Sequence, residues 1–326
     1  MTEPAEPQIS PDDQERPALA RRRLGPLGSG VLSLLLLLSL FAIPFLGFLI
    51  APMAVIPVLH FQATSSRGSL AWSWVVVLLA IASVSGFGEV ALPILMAYLL
   101  IVVLPALSVR FFESLDWDEG RWVAVSTGVA TFCSIAIVMV MTAPLTPMEG
   151  VAEWIRAAGE QGQELYGSMG MSRGELELAL DSAEKFASWV MPVIPVAYFI
   201  IVLFWIRPRL QVLGVRVRTE KFEDYRSEEW LPAAFACAGL GTLLLNGTAK
   251  WVMLNVLFAV LILYFVHGLA IIRAHLVRWI GRGWLVRWGV TLICLQLPLP
   301  PLVIILGVTD SFRSLRPRAD DDGGTS

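Results

Sequence analysis

The chain has 326 residues, 56% of them hydrophobic and only 16% charged, with a formal net charge of −3. An ordinary soluble domain carries roughly 25% charged residues, and the apolar residues here gather in blocks near or above the roughly 20 that a helix needs to cross a bilayer. This excludes a soluble globular domain. Lys and Arg sit at the edges of apolar blocks with no basic face, which argues against binding nucleic acid.

The expected fold class is all-α: a polytopic transmembrane helical bundle of eight or nine spans, because backbone amides in lipid must find partners within their own segment. Residues 1–30 read as a disordered polar tail ending in basic residues, Arg21 to Arg23 among them. The apolar run that follows is too long for the apolar region of a cleaved signal peptide and reads as retained membrane segment.

Residues 31–143 should hold the N-terminal transmembrane helices. The block 31–60 is interrupted by Pro44, Gly47, Pro52 and Pro57. Proline removes a donor and bends a helix, so the block forms either two short helices or one span with a re-entrant piece. Spans at 70–86, 89–109 and 122–143 follow.

Residues 144–186 differ from their surroundings. Eight acidic residues, from Glu149 to Glu184, face three basic ones, Arg156, Arg173 and Lys185. Thr146-Pro147-Met148-Glu149 reads as a capping box with proline at the first helical position. Val151, Trp154, Ile155, Ala158, Leu165, Tyr166 and Met169 then recur at helical spacing. Ser172-Arg173-Gly174-Glu175 offers a second box. This predicts an external amphipathic helical hairpin, either a lid packed on the bundle or a ligand gate. Its acidity disfavours adhesion to anionic lipid.

Residues 187–308 should hold the C-terminal transmembrane helices, at 187–206, 230–247, 251–272 and 288–308, with 309–326 a polar disordered tail. The stretch "KFEDYRSEEWLP", 221–232, leads into the 230–247 span. Trp230 suits the membrane interface, Pro232 the first helical turn, and Glu228 and Glu229 the positive end of the helix.

If 31–60 crosses twice, the N-terminus and the loops 110–121, 207–229 and 273–287 are all cytoplasmic, with most of the 24 Lys and Arg residues. If it crosses once, those loops lie outside, against the positive-inside rule. The first arrangement is preferred. It leaves Arg313, Arg316 and Arg318 outside unless a re-entrant break at Pro298 to Pro301 returns them.

No Asp, Glu, Lys or Arg is expected deep within a span, which argues against a proton pump or ion-driven antiporter. Interior polar residues are few, and Asn255 and His267 are the candidates for contact with a ligand. A lone membrane histidine ordinarily hydrogen-bonds a neighbouring helix. Candidates for partner contact are Tyr225, Arg226 and Trp230 in the loop and Asp310 and Arg313 near the end. The acidic run Glu113, Asp116, Asp118 and Glu119 reads as a solvated loop. Cys133, Cys237 and Cys294 show no metal or redox spacing. No nucleophile motif, phosphate loop or zinc signature occurs, so no enzyme, cofactor or metal site is expected.

Four stretches occur in order: "LYGSMGMSRGELE", "FEDYRSEEWLP", "YFVHGLAIIRAHL" and "LGVTDSFRSLR". Together they resemble the YybS-like family of uncharacterised bacterial integral membrane proteins over roughly residues 100–316. The resemblance implies a bacterial inner-membrane protein. Tyr225, Arg226, Leu231 and Pro232 match the family's aromatic, basic and Leu-Pro positions, and Gly307, Asp310 and Arg313 its closing motif. Where many members carry Gln before Gly-Leu-Ala, this chain has His267. The family is similar at the fold level to the substrate-binding subunits of energy-coupling-factor vitamin transporters, although fold does not carry function, and no Ala-x-x-x-Ala coupling signature stands in the first span.

Two readings follow. One is a protein, surrounded by membrane lipid, that binds or helps transport a small, largely uncharged molecule. The other is a membrane scaffold or assembly factor docking cytoplasmic protein partners through the 207–229 loop. A third, an enzyme acting on lipid at the interface, would need carboxylates and bases converging on one face.

Overall fold

The computed structural model describes residues 26–42, 44–64, 91–115, 117–168, 172–210, 212, 221–280 and 298–312, with single positions between 289 and 296. The expected span 70–86, Arg313 and most of both expected tails lie outside the described residues. Among the described residues every regular element is a helix. The chain divides into two compact units, one up to Tyr98 and one from Leu99.

In the first unit the prolines divide the 31–60 block into more pieces than two. Helix α1, Pro26–Ala42, is followed by α2, Pro44–Ile50, a 3-10 turn, Ala51–Ala54, and α3, Val55–Thr64. Pro44 opens α2, Pro52 stands in the 3-10 turn and Pro57 in the first turn of α3, each where a missing N–H costs least. The Ser33 hydroxyl of α1 donates to the Ala54 carbonyl at 2.7 Å. Gly47 lets α2 fold back on α1, since a Cβ there would overlap the Ser39 carbonyl. α1 takes in the last five residues of the expected tail, 26–30. The unit closes with α4, Ala91–Tyr98.

The second unit opens with a π-helical turn, Leu99–Val103, that leads into α5, Leu104–Leu115. Pro105 cannot supply the amide that the Ile101 carbonyl would take, and a widened turn accommodates the loss. The Asp118 carboxylate accepts from the Arg121 amide at 2.8 Å and caps α6, Glu119–Thr142. Trp122 stacks on Phe112, with ring centroids 4.6 Å apart, and its Nε1 donates to Ser108 at 3.2 Å. These contacts fasten α5 to α6.

Two helices follow, α7, Pro147–Ser168, and α8, Arg173–Val190. Both capping boxes form: Thr146 with Glu149, and Ser172 with Glu175. The helices run antiparallel, joined by Arg156 in a forked pair with Glu184 at 2.8 and 2.7 Å. α8 runs through the start of the expected 187–206 span and stops at Val190. After a bend of 69° the chain resumes as α9, Val193–Ile206.

The last elements are α10, Leu231–Leu244, α11, Gly247–Ile280, and α12, Leu299–Phe312. Gly247 takes φ of 58° in the tight α10–α11 turn, a conformation glycine adopts without strain. α11 is the central post of this unit and packs on α6, α8, α9, α10 and α12. Gly268 of α11 and Gly307 of α12 face one another, and a Cβ on either would overlap backbone of the other helix. Small residues at such crossings let helix backbones approach closely in membranes.

Among the described residues fewer spans are found than the eight or nine expected of the whole chain. Among the described residues three helices are long and apolar enough to cross a membrane: Met96–Leu115, Glu119–Thr142 and Gly247–Leu276. The bent pair Gly174–Val190 and Val193–Arg209 makes a fourth if it crosses as one. The remaining apolar blocks fold into shorter helices, such as α10 and α12 with 14 residues each. An apolar block reports burial in something apolar, and proline and turn residues decide how much of it becomes one helix.

Candidate functional site

Two polar constellations lie along α11. The first is the break between α8 and α9. Pro192 has no N–H, so the Ser188 carbonyl has no donor four residues ahead. Trp251 Nε1 of α11 donates to it at 2.8 Å. Asn255 Nδ2, one turn on, donates to the Trp189 carbonyl at 2.9 Å, and the Ser134 hydroxyl of α6 donates to the Pro192 carbonyl at 2.7 Å. Three side chains from two helices thus take up the carbonyls at the break.

Asn255 is fully buried. Its Nδ2 also donates to the Trp251 carbonyl at 2.8 Å, and two acceptors on one nitrogen fix which way the amide points. Its Oδ1 then faces the interior, and no donor among the described residues reaches it. Trp251, one turn away, belongs to an apolar cluster with Ile135, Val138 and Val151, against which Met191, Val256, Trp154 and Ile155 pack. Val151, Trp154 and Ile155 belong to α7, so α7 shares an apolar cluster with Trp251 and with Met191 at the break.

The second constellation lies at the other end of α11, under the 221–230 loop. The loop turns through a 3-10 segment, Phe222–Asp224, and is held at several points. Glu223 pairs with Arg273 at 3.0 Å, and the same guanidinium lies 4.6 Å over the Phe222 ring. Tyr225 is buried among Phe204, Phe222 and His267, with centroids at 5.4, 6.5 and 6.4 Å. The Ser227 amide donates to His267 Nδ1 at 2.9 Å, and His267 Nε2 faces Asp310 Oδ2 at 2.8 Å. Glu228 lies 3.9 Å from Arg121. Gly120 at the start of α6 admits the loop, because a Cβ there would overlap the Arg226 carbonyl. Behind Tyr225, Arg207 pairs with Glu119 in full burial.

These neighbours set the protonation chemistry. Because Nδ1 of His267 accepts, the ring hydrogen of the neutral imidazole is on Nε2, donated to Asp310. Burial, and after it the Glu119 carboxylate, pushes the Tyr225 phenol above its ordinary range. Burial, and after it the Asp118 carboxylate, raises Glu228 above the usual carboxylate value.

The sequence candidates are thereby sorted. Tyr225, His267 and Asp310 come together in one cluster. Arg226 and Trp230 stand on the outer, exposed side of the same loop, Trp230 just before α10. Asn255 does not join His267: twelve residues of α11 separate them, roughly 18 Å along the axis. Glu119 is not in a solvated loop as expected, because Arg207 draws its carboxylate into the bundle. Glu223, Arg273, Ser134 and Trp251 also escaped the sequence reading; Pro192 and Pro195 were the available signal for the last two. Among the described residues no group of three His, Cys, Asp or Glu side chains is gathered to hold a metal ion.

A family model described as a predicted membrane protein, DUF2232, matches residues 30–311. The chain belongs to that family. The match runs from α1 to within one residue of the end of α12, so both constellations lie inside the family's region. No curated protein and no solved structure matches the chain.

Proposed function

We propose that the protein is not an enzyme and that it binds, or helps to transport, a small, largely uncharged molecule at the α8–α9 break. The observation that carries this is Asn255 Oδ1, a buried acceptor whose orientation is fixed and which no described donor meets. Buried acceptors are ordinarily satisfied. Interrupted helices are also where membrane carriers place their binding sites, and irregular backbone at that depth is tolerated where it is buried or lines a cavity. The polar groups at the break, Ser134, Trp251 and Asn255, carry no formal charge, which suits an uncharged ligand with an N–H or O–H donor and an apolar body. The resemblance to YybS-like proteins, and more distantly to vitamin-transporter binding subunits, leans the same way. The test is native mass spectrometry of the full chain gently extracted from its own membrane. A reproducible small added mass, lost in Asn255→Leu, supports the reading, and a chain carrying only lipid contradicts it.

A second reading, docking of a cytoplasmic protein through the 207–229 loop, is favoured by the bracing of that loop. Contacts to Arg273, His267 and Arg121 hold it while Arg226, Glu229 and Trp230 stay exposed. Arg and Trp are the residue types that most often anchor protein interfaces. The positive-inside distribution supports a cytoplasmic position for the loop. A stoichiometric partner subunit retained in the same spectra, and lost in Arg226→Ala with Trp230→Ala, would favour docking.

A further inference from the structure

We propose that His267 is a proton-operated latch: neutral, it fastens the 221–230 loop to the bundle, and protonated, it lets the loop go. The geometry rests on both ring nitrogens. Nδ1 is the acceptor of the Ser227 amide at 2.9 Å, and Nε2 faces the Asp310 carboxylate at 2.8 Å. A proton added to Nδ1 occupies the lone pair that holds Ser227. Two N–H groups then point at one another, the amide loses its acceptor, and the loop must move away. The same proton makes the ring an imidazolium, and Asp310 is already placed as its counter-ion. One proton therefore breaks a loop contact and strengthens the contact between α11 and α12.

Four charged groups on the elements packed about the ring have partners of their own, while Asp224, Arg226 and Glu229 lie on the exposed side of the loop. From the loop come Glu223, paired with Arg273 of α11, and Glu228, beside Arg121 of α6. From the far side of Tyr225 come Glu119 of α6 and Arg207, at the end of α9, paired with each other. Tyr225 packs its ring edge-on against the imidazole and is a hydroxyl that stays protonated, since burial pushes it up. The contacts that a proton on the ring alters are the Ser227 amide bond to Nδ1, which is lost, and the Asp310 contact at Nε2, which gains charge.

Glutamine is the discriminating substitute. Its amide has one acceptor and one donor group, matching Nδ1 and Nε2–H of the neutral ring, and it does not titrate. Hydrogen exchange read by mass spectrometry on the full chain in a lipid nanodisc tests the latch at pH about 8 and about 5, either side of the ordinary histidine range. After correction for intrinsic exchange rates, the wild-type peptide spanning Ser227 is expected to lose protection about tenfold in acid, the weight of one backbone hydrogen bond. His267→Gln should keep the neutral-pH protection at both values. Unchanged wild-type protection, or an equal loss in His267→Gln, overturns the proposal. Should His267→Gln fail to fold, Asp310→Asn serves: it removes the counter-ion, so the loop should hold to lower pH than in wild type, and an unaltered release would overturn the latch.

Discussion

Arg207 Nη2 donates to Glu119 Oε2 at 2.7 Å, tying the end of α9 to the start of α6 across 88 residues of sequence. Both side chains are more than nine-tenths buried. A buried pair adds little over well-packed apolar residues, but removing one partner strands the other charge, at a cost of about 3–5 kcal/mol. Glu119→Gln is therefore expected to lower unfolding stability sharply in a fixed detergent, and Glu119→Leu with Arg207→Met to recover most of the loss. Equal instability of the single and the double variant would contradict this role.

Gly268 and Gly307 make a second joint, between α11 and α12. A methyl group at Gly268 would strike the Val303 carbonyl, and one at Gly307 the Tyr264 carbonyl. Backbone cannot yield as a flexible side chain can. Either glycine-to-alanine change should cost about 1–3 kcal/mol, the usual penalty of overpacking. Thermal unfolding should register the loss, and exchange protection in 299–312 should fall with it.

Trp251→Phe keeps an aromatic ring at the α8–α9 break and deletes its donor. The Ser188 carbonyl then lies buried and unpaired, which costs about 1–3 kcal/mol. The loss should shrink when Pro192 is also replaced by Ala, because residue 192 then offers the missing amide. A double-mutant cycle measures that coupling, and strict additivity would mean that the indole N–H does not serve the proline break.

Glu228 makes a pH-dependent contribution of stated sign. Its folded pKa is raised above the ordinary 4.5, first by burial and then by Asp118. The folded protein therefore holds that proton more tightly than the unfolded chain does. The ionised side chain opposes folding above its folded pKa, and the penalty fades as pH falls through that value towards 4.5. Glu228→Gln should be the more stable protein at neutral pH, with the gap closing on acidification. A gap that widens in acid would reverse the assignment.

The helical class and both capping boxes were legible because each depends on residues within a few positions of one another. Thr146 with Glu149 and Ser172 with Glu175 are local chemistry. The number of crossings was not, because hydropathy does not measure where a helix stops: Leu231–Leu244 and Leu299–Phe312 are apolar but 14 residues long. Pro192 and Pro195 advertised an interruption within the expected 187–206 span, yet which side chains would take up the carbonyls depended on α6 and α11 arriving from far away in sequence. The buried pairs Glu119–Arg207 and Glu223–Arg273 were hidden for the same reason. Each charge lies at the edge of an apolar block, where solvent is the default partner until the fold supplies another. The pairing of His267 with Asp310 joins two candidates that sequence alone left 43 residues apart.

The most direct measurement is native mass spectrometry of the full chain from its own membrane, wild type beside Asn255→Leu. The account predicts a reproducible small-molecule adduct on the wild type, absent from the variant while the variant stays folded. A wild type that carries lipid alone, or an adduct of the same mass on Asn255→Leu, would contradict binding at the α8–α9 break.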